Sequence, residues 1–166
     1  MTPAARAKLK IDVLVDADLW KRHAEVRPIV RRAVAQAAAE LSTSGTELAI
    51  VLTDDSAIRQ LNRLWRGIDA ATNVLSFPTK QTTDEPPHLG DVVLAYETIA
   101  REASAACRPF AHHVAHLAVH GFLHLLGYDH ERDVAAEAME RLERKILRRL
   151  GIPDPYQRPA KAERKL

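Results

Sequence analysis

Cysteine is nearly missing from this sequence: Cys107 is the one thiol in 166 residues. No intramolecular disulfide can form, which suits a reducing compartment, and a metal site built from several thiolates is excluded. The expected place for that thiol is a buried apolar face. Long apolar runs are missing as well. Nothing in the chain could span a bilayer, and the opening residues MTPAARAKLK lack the apolar centre of a secretory leader. The expectation is a cytoplasmic protein with no membrane association. Nor does one sign of charge dominate, since 24 Lys and Arg stand against 22 Asp and Glu.

What is present is an ordinary globular composition, 46% hydrophobic and 28% charged, at a length that suits one domain with a single core. There is no internal repeat and no interdomain linker. The charge is unevenly placed. Residues 141–166 hold nine Lys and Arg against three acids, so the rest of the chain is net acidic. A basic end of this kind attracts polyanions through counterion release; its other reading is a solvated helix face and a frayed tail.

KIDVLVD alternates Ile11, Val13 and Val15 and reads as a first strand. From Arg27 to Leu41 apolar residues recur at helical spacing until Ser42–Gly45 breaks the pattern. ELAIVLTDD is a buried strand by composition. Asp54 or Asp55 can cap a helix through AIRQLNRLWRG, with Gly67 just beyond its end. NVLSFP is a short strand closed by Pro78, KQTTDEPPH a polar loop, and GDVVLAY a fourth strand. Helices follow over Glu97–Ala106, Pro109–Leu126 and Asp133–Leu150, with Pro109 in a first turn. Pro153 and Pro155 are expected to end the fold and release the tail. Four strands in one mixed sheet, packed with five helices, predict a single α+β domain over residues 1–156 and a basic tail over 157–166.

Six of the eight histidines lie between residues 112 and 130. In HGFLHLLGYDH, His120 and His124 are four apart and project from one helix face. Gly127 tolerates positive φ and lets the chain turn sharply, which brings His130 back toward the same point. Three neutral imidazoles without a fourth protein ligand form the pattern of a catalytic zinc site, which keeps one position for water. The spacing matches the H-E-x-x-H-x-x-G-x-x-H of the metzincin proteases at both metal intervals and at the glycine. The glutamate that is the proteases' general base is here Gly121, which disfavours peptide hydrolysis. A single helical histidine is more often a packing or surface residue than a ligand; three at this spacing around a turn glycine are different. His116 extends the row but drifts around the helix, so a supporting or packing role suits it. His23, His88, His112 and His113 are expected on the surface.

HGFLHLLGYDH, WRGIDAATNVLSFP (Trp65–Pro78) and LGDVVLA (Leu89–Ala95) together resemble the YbeY endoribonucleases, the bacterial rRNA maturation factors, over roughly residues 10–155. The resemblance implies that His120, His124 and His130 bind one Zn2+ and that Arg66 is the functionally important arginine. A guanidinium there would hold a phosphate by two parallel hydrogen bonds and oppose charge developing on it. Without the resemblance, Arg66 reads as a helix-end arginine on the last carbonyls. Asn73 and Ser76 are weaker candidates for the cleft, since both also suit a turn and a strand. Trp65 stands where the family pattern often has tyrosine.

By this resemblance the activity is that of a single-strand-specific, metal-dependent endoribonuclease acting in rRNA maturation, at the 3′ end of 16S rRNA, and in ribosome quality control. Its partners would be single-stranded RNA and ribosomal subunits or ribosome-associated factors. Two mechanisms stay open, attack by a metal-activated water and attack by the RNA's own 2′-hydroxyl. The rival readings are a ribosome-assembly binding protein with a mainly structural metal and, more distantly, a metzincin-like protease.

Overall fold

The computed structural model describes residues 8–43, 47–80 and 88–157. Part of the 42–45 break, most of the KQTTDEPPH loop and the tail from residue 158 lie outside them. Four strands, β1 (Lys10–Val15), β2 (Glu47–Thr53), β3 (Val74–Pro78) and β4 (His88–Ala95), form one sheet in the order β1-β2-β4-β3. β1, β2 and β4 run parallel, and β3 is antiparallel to β4. The helices are α1 (Val26–Glu40), α2 (Asp55–Arg66), α3 (Tyr96–Ala105), α4 (Phe110–Leu125) and α5 (Asp133–Arg149). A short 3-10 turn at Asp18–Arg22, not expected from the pattern, buries Trp20, whose Nε1 donates to the Thr53 carbonyl at 2.7 Å.

Strand alternation sorts the sheet's side chains onto two unequal faces. Leu48, Ile50, Leu52, Val92 and Leu94 meet α1, α4 and α5 in the main core. The opposite side is a small cluster in which Ile58 of α2 covers Leu75, Val93 and Ala95. α2 starts where Asp54 accepts from the Ala57 amide at 2.8 Å and stops at Gly67, φ 70°. Asp55 has a different task. Its carboxylate accepts from the Thr98 amide and hydroxyl in the first turn of α3, while Glu97 accepts from the Asp55 amide. The two helix starts therefore satisfy each other's orphan amides.

α4 is buried nearly all round because it lies between the sheet and α1 and α5. Its approach to the sheet is set by Gly121. A Cβ there would sit 2.6 Å from a Val92 methyl and 3.1 Å from both Ser76 Oγ and a Val74 methyl. Pro109 stands at the N-cap of α4 rather than in its first turn.

Several expectations are corrected. Cys107 is exposed, because it takes the left-handed position (φ 52°) that turns the chain out of α3. None of His23, His88, His112 and His113 is fully on the surface. His113 packs with only 12% of its side chain exposed and meets Glu102; His23 meets the Tyr96 hydroxyl. The basic face of α5 is largely spent within the protein. Glu40 pairs with Lys145 and Arg149, and Arg144 pairs with Glu140 and Asp154. Packing continues past Pro153 and Pro155 as far as Tyr156, which reaches back to Glu143, and the expected tail from residue 158 lies outside the described residues.

Candidate metal centre

His120 and His124 lie one turn apart on α4, and Gly127 (φ 93°) reverses the chain so that His130 returns to them. Their ligand atoms all fall within 4.8 Å of one another, with ring centroids 4.6 to 5.5 Å apart. Each α4 ring is held from behind. His120 Nδ1 donates to Glu143 Oε1 at 2.7 Å, and His124 Nδ1 donates to the Tyr128 carbonyl at 2.8 Å. Both acceptors lack a proton to give, so both imidazoles carry hydrogen on Nδ1, and Nε2 is the atom each leaves for a metal. Burial, helped by the neighbouring His120, holds the His124 imidazole below its usual range and keeps it neutral.

The two Nε2 atoms stand 3.0 Å apart. In the Nδ1–H tautomer both Nε2 lone pairs face the same point, where one cation would satisfy both. A tetrahedral ion with zinc–nitrogen bonds of about 2.0–2.1 Å would need roughly 3.4 Å between donors, a small adjustment. The donor set therefore fits a metal ion that takes imidazole nitrogen.

Glu143 is a residue that the sequence reading misses. It lies on α5, fully buried, and accepts from His120, from His116 Nε2 at 2.5 Å and from the Tyr156 hydroxyl at 2.5 Å. Burial alone would raise its carboxyl, but the hydrogen bonds from His116 and His120 outweigh it and bring the value to about 2. The supporting role expected for His116 is thus seen as a contact to the carboxylate that holds His120. The sequence does carry a signal for Glu143. It falls on the apolar stripe Met139, Ile146, Leu147, where an unpaired acid has no reason to be.

The three histidines share a cleft of about 520 Å³ with Arg66, Asn73, Ser76, Asp129 and Glu131. Arg66 is the last residue of α2, and its guanidinium donates to the Ser76 carbonyl on β3 at 3.1 Å instead of to the helix's own last carbonyls. Ser76 Oγ donates to the Gly121 carbonyl at 2.8 Å. Asn73 donates to Glu102 and accepts from the Val74 amide. Both line the cleft, yet their polar atoms are already engaged in joining β3 to α4 and α3.

The fold and site define an α+β domain whose cleft brings three convergent histidines together with an arginine. The model of one family, Endoribonuclease YbeY, matches residues 15–151. An Endoribonuclease YbeY of Rhodopseudomonas palustris is 55% identical over 152 residues, covering 87% of this chain and 90% of that protein. That of Nitrobacter winogradskyi is 55% identical over 156 residues, covering 89% and 82%. The solution structure of TM1509 from Thermotoga maritima shares the fold, with a TM-score of 0.53 at 22% identity over 91% of this chain and 99% of that one. This chain belongs to the endoribonuclease YbeY family.

Proposed function

We propose that the chain is a zinc-dependent endoribonuclease that cuts single-stranded RNA in the cytoplasm, acting in rRNA maturation and ribosome quality control on or near ribosomal subunits. The observation that carries this reading is the cleft itself, where three convergent imidazoles open onto an arginine with donors to spare. His120, His124 and His130 would hold the ion. Bound there, zinc would supply Lewis acidity toward a phosphate oxygen or lower the pKa of a water.

The chain's own residues account for the rest. One amine of Arg66 rests on the Ser76 carbonyl, which aims the fork while leaving its remaining N–H groups for a phosphate. Ser76 ties that strand to α4 through the Gly121 carbonyl, so arginine and histidines keep one spacing. No glutamate stands at the proteases' base position, because Gly121 occupies it. A ribose alkoxide is a better leaving group than an amine anion, so less rests on a protein group that protonates it. Among the described residues no helix is long and apolar enough to cross a membrane.

The test is cleavage of a labelled single-stranded RNA by metal-loaded, metal-stripped and Arg66→Ala protein, with His124→Ala prepared in parallel to reveal contaminating nuclease. Activity in the loaded parent alone supports the reading. RNA bound but never cut under any metal would favour a ribosome-assembly binding protein. A deoxy-substituted cleavage site separates the two nucleophiles, since only attack by the 2′-hydroxyl requires that group.

A further inference from the structure

Glu143 is a buried acceptor with three donors. Its side chain is fully buried, and both oxygens are taken up by His120, His116 and the Tyr156 hydroxyl. A buried carboxylate is costly unless its oxygens are hydrogen-bonded, and these three donors supply that. Of the two imidazoles, His120 is the one whose other ring nitrogen faces His124 in the cleft.

The third donor comes from an unexpected part of the chain. After α5, Gly151 (φ 73°) turns the backbone and Ile152 plugs into the core. Asp154 then accepts from both Arg144 Nε and the Tyr156 amide, closing the segment over α5. The Tyr156 ring stands edge-on to His116 at 5.5 Å, under the Arg144 guanidinium at 5.2 Å. Its hydroxyl has one donor proton, and Glu143 Oε2 takes it.

We infer that Glu143 and Tyr156 are positioning residues for the metal. Glu143 fixes the tautomer and plane of His120, and Tyr156 holds the carboxylate so that Oε1 faces Nδ1. The inference rests on the reading of His120 as a ligand. The segment after α5 is on this account part of the metal centre, although it contributes no ligand.

The decisive variant is Tyr156→Phe in the full-length protein, which keeps the ring and its packing on His116 and Arg144 and removes the hydroxyl alone. Its zinc affinity, read by competition with a chromophoric chelator, should fall by up to about tenfold, the low end of what loss of a group bonded directly to a ligand costs. The visible spectrum of the cobalt(II)-loaded protein should shift as well. Glu143→Gln should lose more, because the amide presents N–H where a carboxylate accepted. Should Glu143→Gln not fold, Tyr156→Phe still decides. A merely structural tyrosine predicts a lower melting temperature with unchanged zinc affinity and cobalt spectrum, and that result overturns the inference. Weakened zinc binding in Tyr156→Phe, beside a parent protein that cuts no RNA, would sustain the inference and defeat the nuclease reading.

Discussion

His120 and His124 point their Nε2 atoms at each other across 3.0 Å, an arrangement aimed by the acceptors that hold both Nδ1 atoms behind the rings. Replacing one of the pair should empty the centre. His124→Ala is expected to bind well below one zinc per chain and to keep most of its secondary structure, as elemental analysis and circular dichroism would report. Stoichiometric zinc in that variant would refute the ligand assignment. Because imidazole must be neutral to bind, zinc should also leave the parent as pH falls below about 6.5, later if binding is tight.

Arg66 sits at an exposed helix end, and its one hydrogen bond is a small part of the fold. Arg66→Ala should therefore retain zinc and melting temperature while cleavage drops on the order of 10²-fold, the usual cost of removing a donor from a developing anion. Arg66→Lys should recover only part, since an ammonium is a point charge without the planar fork. Undiminished cleavage by Arg66→Ala would return the residue to the helix end.

Acid should destabilise the metal-free protein in two stages. Burial holds the His113 and His124 imidazoles below their usual range, so the unfolded chain binds more protons just below pH 6.5 and stability begins to fall there. Glu143, brought down to about 2, gives stability that is complete above the ordinary glutamate value near 4.3 and is lost between that value and pH 2. Urea midpoints at pH 7.5, 5.5 and 3.5 would show a progressive decline. A midpoint constant from 7.5 to 5.5 would contradict the first stage.

With Lys145, Arg149 and Arg144 engaged in ion pairs, Arg141 and Arg148 are the α5 cations without an ion-pair partner among the described residues. Cation-dependent RNA binding by this end should then lean on Arg158, Lys161, Arg164 and Lys165. Changing those four to glutamine should flatten the dependence of log affinity on log salt by roughly 0.7 for each phosphate that is no longer neutralised. Identical slopes would show that these four residues remain solvated beside RNA.

The ladder of elements is readable in the sequence because each obeys a local rule: alternation in β1, a continuous apolar run in β2 and β4, a capping aspartate before α2, a glycine after it. The three convergent histidines are readable for the same reason, since i, i+4 and a turn glycine are all contained in eleven residues. Glu143 and Tyr156 are not, because they meet the histidines of α4 only when α5 packs against that helix, 23 residues beyond His120 in the case of Glu143. Glu40 shows the same limit. Its pairs with Lys145 and Arg149 join α1 to α5 across more than a hundred residues, so a stretch that looks freely basic in one dimension is half neutralised in three. Cys107 escapes a reading by composition, which carries no information about a left-handed turn.

Gly121 gives the resemblance to the metzincin motif a different meaning. The position that would carry a protease's glutamate is pressed against Val92, with no room for even one methyl group. Any larger residue forces either the Val92 side chain or α4 to shift, and Ser76 and Val74 of the strand on which Arg66 rests stand next to it. An engineer grafting a glutamate here to win peptidase activity would first have to rebuild the interface beneath it. The barrier between the two chemistries in this scaffold is one of volume, and it stands behind the strand that lines the cleft.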